Sequence, residues 1–240
     1  MNNTSYSRRR FVRVLFACLL LFLGGCDSED KKGQMVQKAT ESSPTLQAEQ
    51  RPGTIVALGD SLTAGLGVDE HDAYPARLER RLQADGHNFR VINAGVSGET
   101  TSGTLSRLEW VLTMKPDIVI LEIGANDGLR GIDPAVPAKN IREIIRILQE
   151  RGVIVVFTGM KMVWNLGPAY TLAFNAIYPD IAKEFDLIYM PFFLDEVATV
   201  RELNNEDGLH PNARGYEKIV NNLSPHVLVA IDQFKRQGKR

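Results

Sequence analysis

Thr54-Ile55-Val56-Ala57-Leu58-Gly59-Asp60-Ser61-Leu62 is the stretch that decides the fold. Five residues without a charge, three of them β-branched, suit a strand covered on both faces, and Gly59-Asp60-Ser61 then turns the chain into a helix or a second turn. Four further runs have the same character: Arg90-Val91-Ile92, Ile118-Val119-Ile120-Leu121, Val153-Ile154-Val155-Val156-Phe157 and Leu187-Ile188-Tyr189. Segments with helical spacing lie among them, at Tyr74 to Leu82, Thr104 to Leu112, Ile141 to Leu148, Ala169 to Phe185 and Ala213 to Phe234. Gly86, Pro116 and Gly152 punctuate the helix ends. Five βα units predict an α/β fold: a five-stranded parallel sheet between two helical layers, with no internal repeat.

Ligands of such sheets sit beyond the carboxyl ends of the strands. The strings there are Gly59-Asp60-Ser61-Leu62, Asn93-Ala94-Gly95-Val96-Ser97-Gly98, Gly124-Ala125-Asn126-Asp127-Gly128 and Asp207-Gly208-Leu209-His210-Pro211. A serine two residues past a strand presents its hydroxyl near backbone N–H groups, and His210 supplies a base. Asp207, three residues earlier, is spaced to turn back onto one imidazole nitrogen and leave the other for the serine proton. The expected triad is Ser61, His210 and Asp207. Expected oxyanion donors are the backbone N–H groups of Ser61 and Gly95 and the side-chain amide of Asn126. Each residue has a plainer reading: a helix-capping serine, a turn glycine, a capping asparagine. Their co-occurrence at one sheet edge favours the chemical one.

In order and spacing these strings resemble the SGNH (GDSL) hydrolase family, and within it the bacterial thioesterase I, lysophospholipase and arylesterase group. The likeness runs over residues 54 to 228, carries the family's four letters as Ser61, Gly95, Asn126 and His210, and includes Gly124 to Gly131 and Ala176-Ile177-Tyr178-Pro179. It implies a flavodoxin-like three-layer α/β/α sandwich, hydrolysis of carboxylic esters or thioesters through an acyl-enzyme, and no metal or organic cofactor.

Competing chemistries fit less well. Gly59-Asp60-Ser61-Leu62-Thr63 lacks the second glycine of G-x-S-x-G, and neither G-x-G-x-x-G nor G-x-x-x-x-G-K follows the first strand. His71-Asp72 and His87 read as solvated side chains without ligand spacing, so no metal is expected. Asp60 and Asp127 read as residues that orient loops, since a two-carboxylate glycosidase would leave Ser61 and His210 unexplained. A formal charge of −1 provides no field for nucleic acid.

That balance conceals an asymmetry: residues 1–26 carry four arginines and no acid, which leaves 24 bases against 29 acids, net −5, over the other 214 residues. Ser7-Arg8-Arg9-Arg10-Phe11-Val12-Arg13 followed by the apolar run Phe16 to Leu23 has the form of a signal peptide, and the arginine pair resembles a twin-arginine export signal. Leu23-Gly24-Gly25-Cys26 resembles a bacterial lipobox, making residues 1–25 the peptide removed and Cys26 the lipidated residue. Asp27 favours retention at the inner membrane, on the periplasmic side. Residues 26–52 are polar and read as a flexible tether, with the hydrolase domain at 53–240. With Cys18 removed and Cys26 acylated, no intramolecular disulfide is available.

The apolar loop Met160 to Pro168 and Leu129-Arg130-Gly131-Ile132 are candidate walls of an acyl groove. The predicted function is a serine esterase acting on acyl esters, aryl esters or lysophospholipids, expected as a monomer. The alternatives are a carbohydrate O-deacetylase of the same fold and a membrane-tethered binding protein without turnover.

Overall fold

The computed structural model describes residues 51–162 and 166–238. The predicted signal peptide, Cys26 and nearly all of the predicted tether lie outside the described residues. Strands β1 (Thr54–Gly59), β2 (Arg90–Gly95), β3 (Ile118–Glu122), β4 (Ile154–Thr158) and β5 (Ile188–Met190) form one parallel sheet in the order β2-β1-β3-β4-β5. Every residue of β3 and β4, and all of β1 but Thr54, is buried, because helices cover both faces. Edge strand β2 is the more exposed one, and its residues alternate less cleanly.

The helices are α1 (Ser61–Ala64), α2 (Tyr74–Ala84), α3 (Thr101–Ser106), α4 (Leu108–Leu112), α5 (Ala125–Leu129), α6 (Ala135–Glu150), α7 (Pro168–Glu184) and α8 (Ala213–Arg236). Helices α2 and α8 pack on each other, while α6 packs on α3 and α7, giving the two helical layers. In α2 the buried residues Tyr74, Leu78 and Leu82 recur every four residues; in α6, Ile141, Ile144, Ile145 and Leu148 stand three and four apart, as one face of a helix requires. At the start of α8, the Asn212 side chain accepts the N–H groups of Arg214 and Gly215, which have no intrahelical partner.

One predicted helix is broken. The expected run Thr104 to Leu112 is two short helices that meet at Arg107, whose backbone (φ −104, ψ 6) leaves the helical region. At the break the guanidinium reaches Glu99 and donates to the Ala94 carbonyl at 2.7 Å, joining this segment to the end of β2. The helix or turn expected at Ser61 is the one-turn helix α1, and a second short helix, α5, follows β3. No helix among the described residues is long and apolar enough to cross a membrane.

Ile144 has no exposed surface in the centre of the α6 contact with the sheet. Replacing Ile144 with Ala should lower unfolding stability by about 2–5 kcal/mol, read from the midpoint of urea denaturation.

Candidate active site

The sheet order reverses between β1 and β3, so the connections leaving these two neighbours run to opposite faces and open a crevice at their carboxyl ends. Ser61 begins α1 just after β1, and Asn126 lies in α5 just after β3. His210 and Asp207 arrive from the distant loop before α8. That loop is braced internally: Asn204 donates to the carbonyls of Val197 and Val200 at 2.7 Å each, and the Asn212 amide holds those of Glu202 and Asn204.

Ser61 Oγ lies 2.9 Å from His210 Nε2, and His210 Nδ1 lies 2.6 Å from Asp207 Oδ2. With the proton on Nδ1 donated to Asp207, Nε2 is the acceptor that faces the serine hydroxyl. Asp207 Oδ1 meanwhile accepts the N–H groups of Leu209 and His210 at 2.9 and 3.0 Å. These two backbone bonds, with the imidazole, hold the Asp207 carboxyl down to about 2 despite its exposure, so it stays charged throughout the neutral range. Ser61 is 8% exposed, reachable yet largely removed from water. The three predicted triad residues are brought together over a sequence separation of nearly 150 positions.

Asp60 caps α1, accepting the Leu62 N–H at 3.0 Å on one oxygen and the Asn126 side-chain amide at 3.2 Å on the other. An asparagine amide carries two hydrogens, so one fixes the group against Asp60 and the second remains for a ligand. The Ser61 N–H lies in the first turn of α1, where no intrahelical acceptor exists. Burial pushes Asp60 up to about 6, against the bonds from Leu62 and Asn126. Asp127 accepts the Thr101 N–H and hydroxyl at 2.8 and 2.7 Å and so ties α5 to α3. Both carboxylates orient loops.

Gly95 does something other than what its position in the sequence leads one to expect. Its N–H is taken by Asn93 Oδ1 at 2.9 Å. A Cβ there would lie 2.2 Å from the Ala64 backbone nitrogen, so this glycine permits α1 to press against the end of β2. Three residues on, Gly98 occupies the third position of the Val96–Glu99 turn with φ +78, as a type II turn demands. Its N–H has no hydrogen-bond partner among the described residues, and its carbonyl accepts Arg130, at the end of α5, at 2.7 Å. The glycine whose N–H stands free in this loop is therefore Gly98. It lay in the same quoted string, but spacing could not say which amide was already used.

Elsewhere the predicted groove walls are only partly met. Met160 is buried in the core, and Met162 packs beside Gly128, while residues 163–165 fall outside the described residues. Asp69, His71 and Asp72 set one ligand atom each within 4.8 Å of the others, closer than the sequence reading of His71-Asp72 allowed. Asp72 Oδ1 is bound by Arg77 at 2.5 Å, and His71 is widely exposed.

Residues 57–218 match the GDSL-like lipase/acylhydrolase family. The chain is 36% identical over 173 residues to the esterase TesA of Pseudomonas aeruginosa, covering 72% of this chain and 86% of that protein. It is 38% identical over 160 residues to the thioesterase 1/protease 1/lysophospholipase L1 of Escherichia coli K12, covering 66% and 76%. Among solved structures, AlinE4, described as an esterase of the SGNH-hydrolase family, superposes with a TM-score of 0.63 at 44% identity, covering 74% of this chain and 96% of AlinE4.

The Asp60 carboxyl ties stability to pH. Its native value of about 6 exceeds the ordinary 3.8, so between these values the native state holds the proton more tightly than the unfolded chain, and stability falls as pH rises. Asp60→Asn should remove that fall between about pH 4 and pH 6, as read by urea titrations across the window.

Proposed function

From the premise that the chain belongs to the GDSL-like lipase/acylhydrolase family and is a carboxylic ester hydrolase, we propose that Ser61, His210 and Asp207 are its catalytic triad and that apolar acyl esters are its substrates. The observation that carries the assignment is the unbroken relay Ser61 Oγ, His210 Nε2, His210 Nδ1, Asp207 Oδ2, with links of 2.9 and 2.6 Å. Ser61 attacks the ester carbonyl as its proton passes to His210, while the carboxylate of Asp207 holds the ring and stabilises the imidazolium. His210 then returns the proton to the leaving alkoxide, thiolate or phenolate. In the second half it takes a proton from water, which attacks the acyl-enzyme and releases Ser61. The oxyanion receives the Ser61 N–H, the second hydrogen of the Asn126 amide and the N–H of Gly98, in place of the Gly95 amide read from the sequence.

Leu66, Val96, Leu129 and Leu209 are each about half exposed, in the segments that follow β1, β2, β3 and β5. Apolar side chains on all of these segments support medium or long acyl groups, lysophospholipids included, over acetylated sugars. Lysophospholipase L1 in the name of the Escherichia coli relative supports the lipid side of this reading. The basic segment, the apolar run and Leu23-Gly24-Gly25-Cys26 support export, removal of residues 1–25 and lipidation at Cys26, with residues 26–52 as tether to a membrane and 53–240 as the hydrolase domain on the periplasmic side. Asp27 supports the inner membrane.

Full-length protein assayed on p-nitrophenyl esters from acetyl to palmitoyl tests this reading. Ser61→Ala and His210→Ala should each lower kcat by roughly three to six orders of magnitude, and Asn126→Ala by about two to three. A preference for longer chains is the expected profile. An acetyl-only profile would favour the O-deacetylase, and absent turnover in a folded wild-type protein would favour the binding protein.

A further inference from the structure

The mechanism above makes no use of Glu122, the last residue of β3, although it lies fully buried beneath the turn that carries Ser61. Its Oε2 accepts the Thr63 hydroxyl at 2.8 Å, and the Thr63 oxygen lies 3.3 Å from the Tyr74 hydroxyl on α2. The N–H groups of Asp60 and Thr63 lean toward the same carboxyl group. Its other oxygen, Oε1, is buried without a hydrogen-bond partner among the described residues. Gly59 makes room for the arrangement: a Cβ there would stand 2.7 Å from Glu122 Oε2 and 2.2 Å from Thr63 Oγ1.

Packing alone does not account for this residue. A buried carboxyl group is disfavoured against an apolar side chain of similar size, and an orphan oxygen adds to the penalty. What the carboxyl supplies is an acceptor at the floor of α1, a helix of four residues too short to hold its own geometry. The turn is otherwise held by Asp60 at the Leu62 N–H and by the Tyr216 hydroxyl, which donates to the Leu62 carbonyl at 2.9 Å. Glu122 adds the anchor to the central strand.

We propose that Glu122 is a positioning residue that clamps the Gly59–Thr63 turn to β3, through Thr63, and so sets Ser61 Oγ and the Ser61 N–H at their working distances. The inference rests on the serine-hydrolase reading of the site. Burial, and next to it the Asp60 carboxyl, push Glu122 well above the usual carboxylate range, and its Oε2 is the acceptor that faces Thr63. Small displacements of a nucleophile are amplified in rate, which makes such a clamp visible in kcat.

Full-length wild type, Glu122→Ala, Glu122→Gln, Thr63→Val and Ser61→Ala are compared on p-nitrophenyl butyrate, with the rate of labelling by a serine-directed phosphonate as a second readout. Glu122→Ala should lower kcat about 10- to 100-fold, leave KM within about twofold and slow labelling in parallel. Glu122→Gln is isosteric, uncharged and offers an oxygen to Thr63, and should restore kcat to within about threefold of wild type. Thr63→Val, which deletes the hydroxyl at nearly constant volume, should lose about 3- to 10-fold in kcat. A folded Glu122→Ala with wild-type kcat overturns the proposal, as does a Glu122→Gln no faster than Glu122→Ala. If Glu122→Ala does not fold, Thr63→Val decides, and wild-type kcat in that variant overturns the clamp. Full turnover in Ser61→Ala would instead sink the serine mechanism, whereas an inactive Ser61→Ala beside an unimpaired Glu122→Ala sinks only the clamp.

Discussion

A row of paired residues, Gly95, Gly59, Glu122, Thr158 and Met190, runs across the carboxyl edge of the sheet in register. Everything at the site hangs from that row. Because parallel pairing aligns the strand ends, the loops after β1, β2 and β3 leave at one height, and the divergence of the crossovers between β1 and β3 keeps the space above them open. Glycine at two adjacent places in the row lets backbone and carboxyl groups approach where a Cβ would collide. The apolar surface buried by α2, α6, α7 and α8 is what holds the row in place, so the chemistry depends on a core many residues away from it.

Above the row, fixed polar groups replace water. Asp207 is locked by two backbone N–H groups of its own loop, Asn126 by Asp60, and the Asp60 carboxyl by the first turn of α1. Groups oriented before a substrate arrives need not reorganise as charge develops. The acids beneath Ser61 are separated by environment. Asp60 receives two donors and is pushed up to about 6, whereas Glu122, with one strong donor and an orphan oxygen, is raised by its burial well above the usual carboxylate range. Asp207, exposed and twice bonded by backbone, lies at the opposite extreme.

The strands were legible because burial on both faces leaves a run of apolar residues that no helix of that length would need. Helices α2 and α6 were legible from their three- and four-residue spacing. The break at Arg107 was not, because it coincides with bonds to Glu99 and to the Ala94 carbonyl, partners that lie outside the local pattern. The choice between Gly95 and Gly98 has a similar origin. Gly95 ends β2 and Gly98 lies in the turn after it, and only the side chain of Asn93 decides which amide is already engaged. Glu122 did not stand out in the sequence, since its partner Thr63 is 59 positions away.

Sequence alone determined the α/β architecture, and it singled out the serine, the histidine with its carboxylate three residues earlier, and the asparagine as candidates, because periodicity and short spacing are local properties of the chain. The tertiary structure decided which hydrogen of which amide remains free, which glycine N–H is already engaged, and which carboxyl groups burial shifts upward. Those outcomes depend on burial and on partners brought close only when the sheet aligns its strand ends, and no local pattern records them.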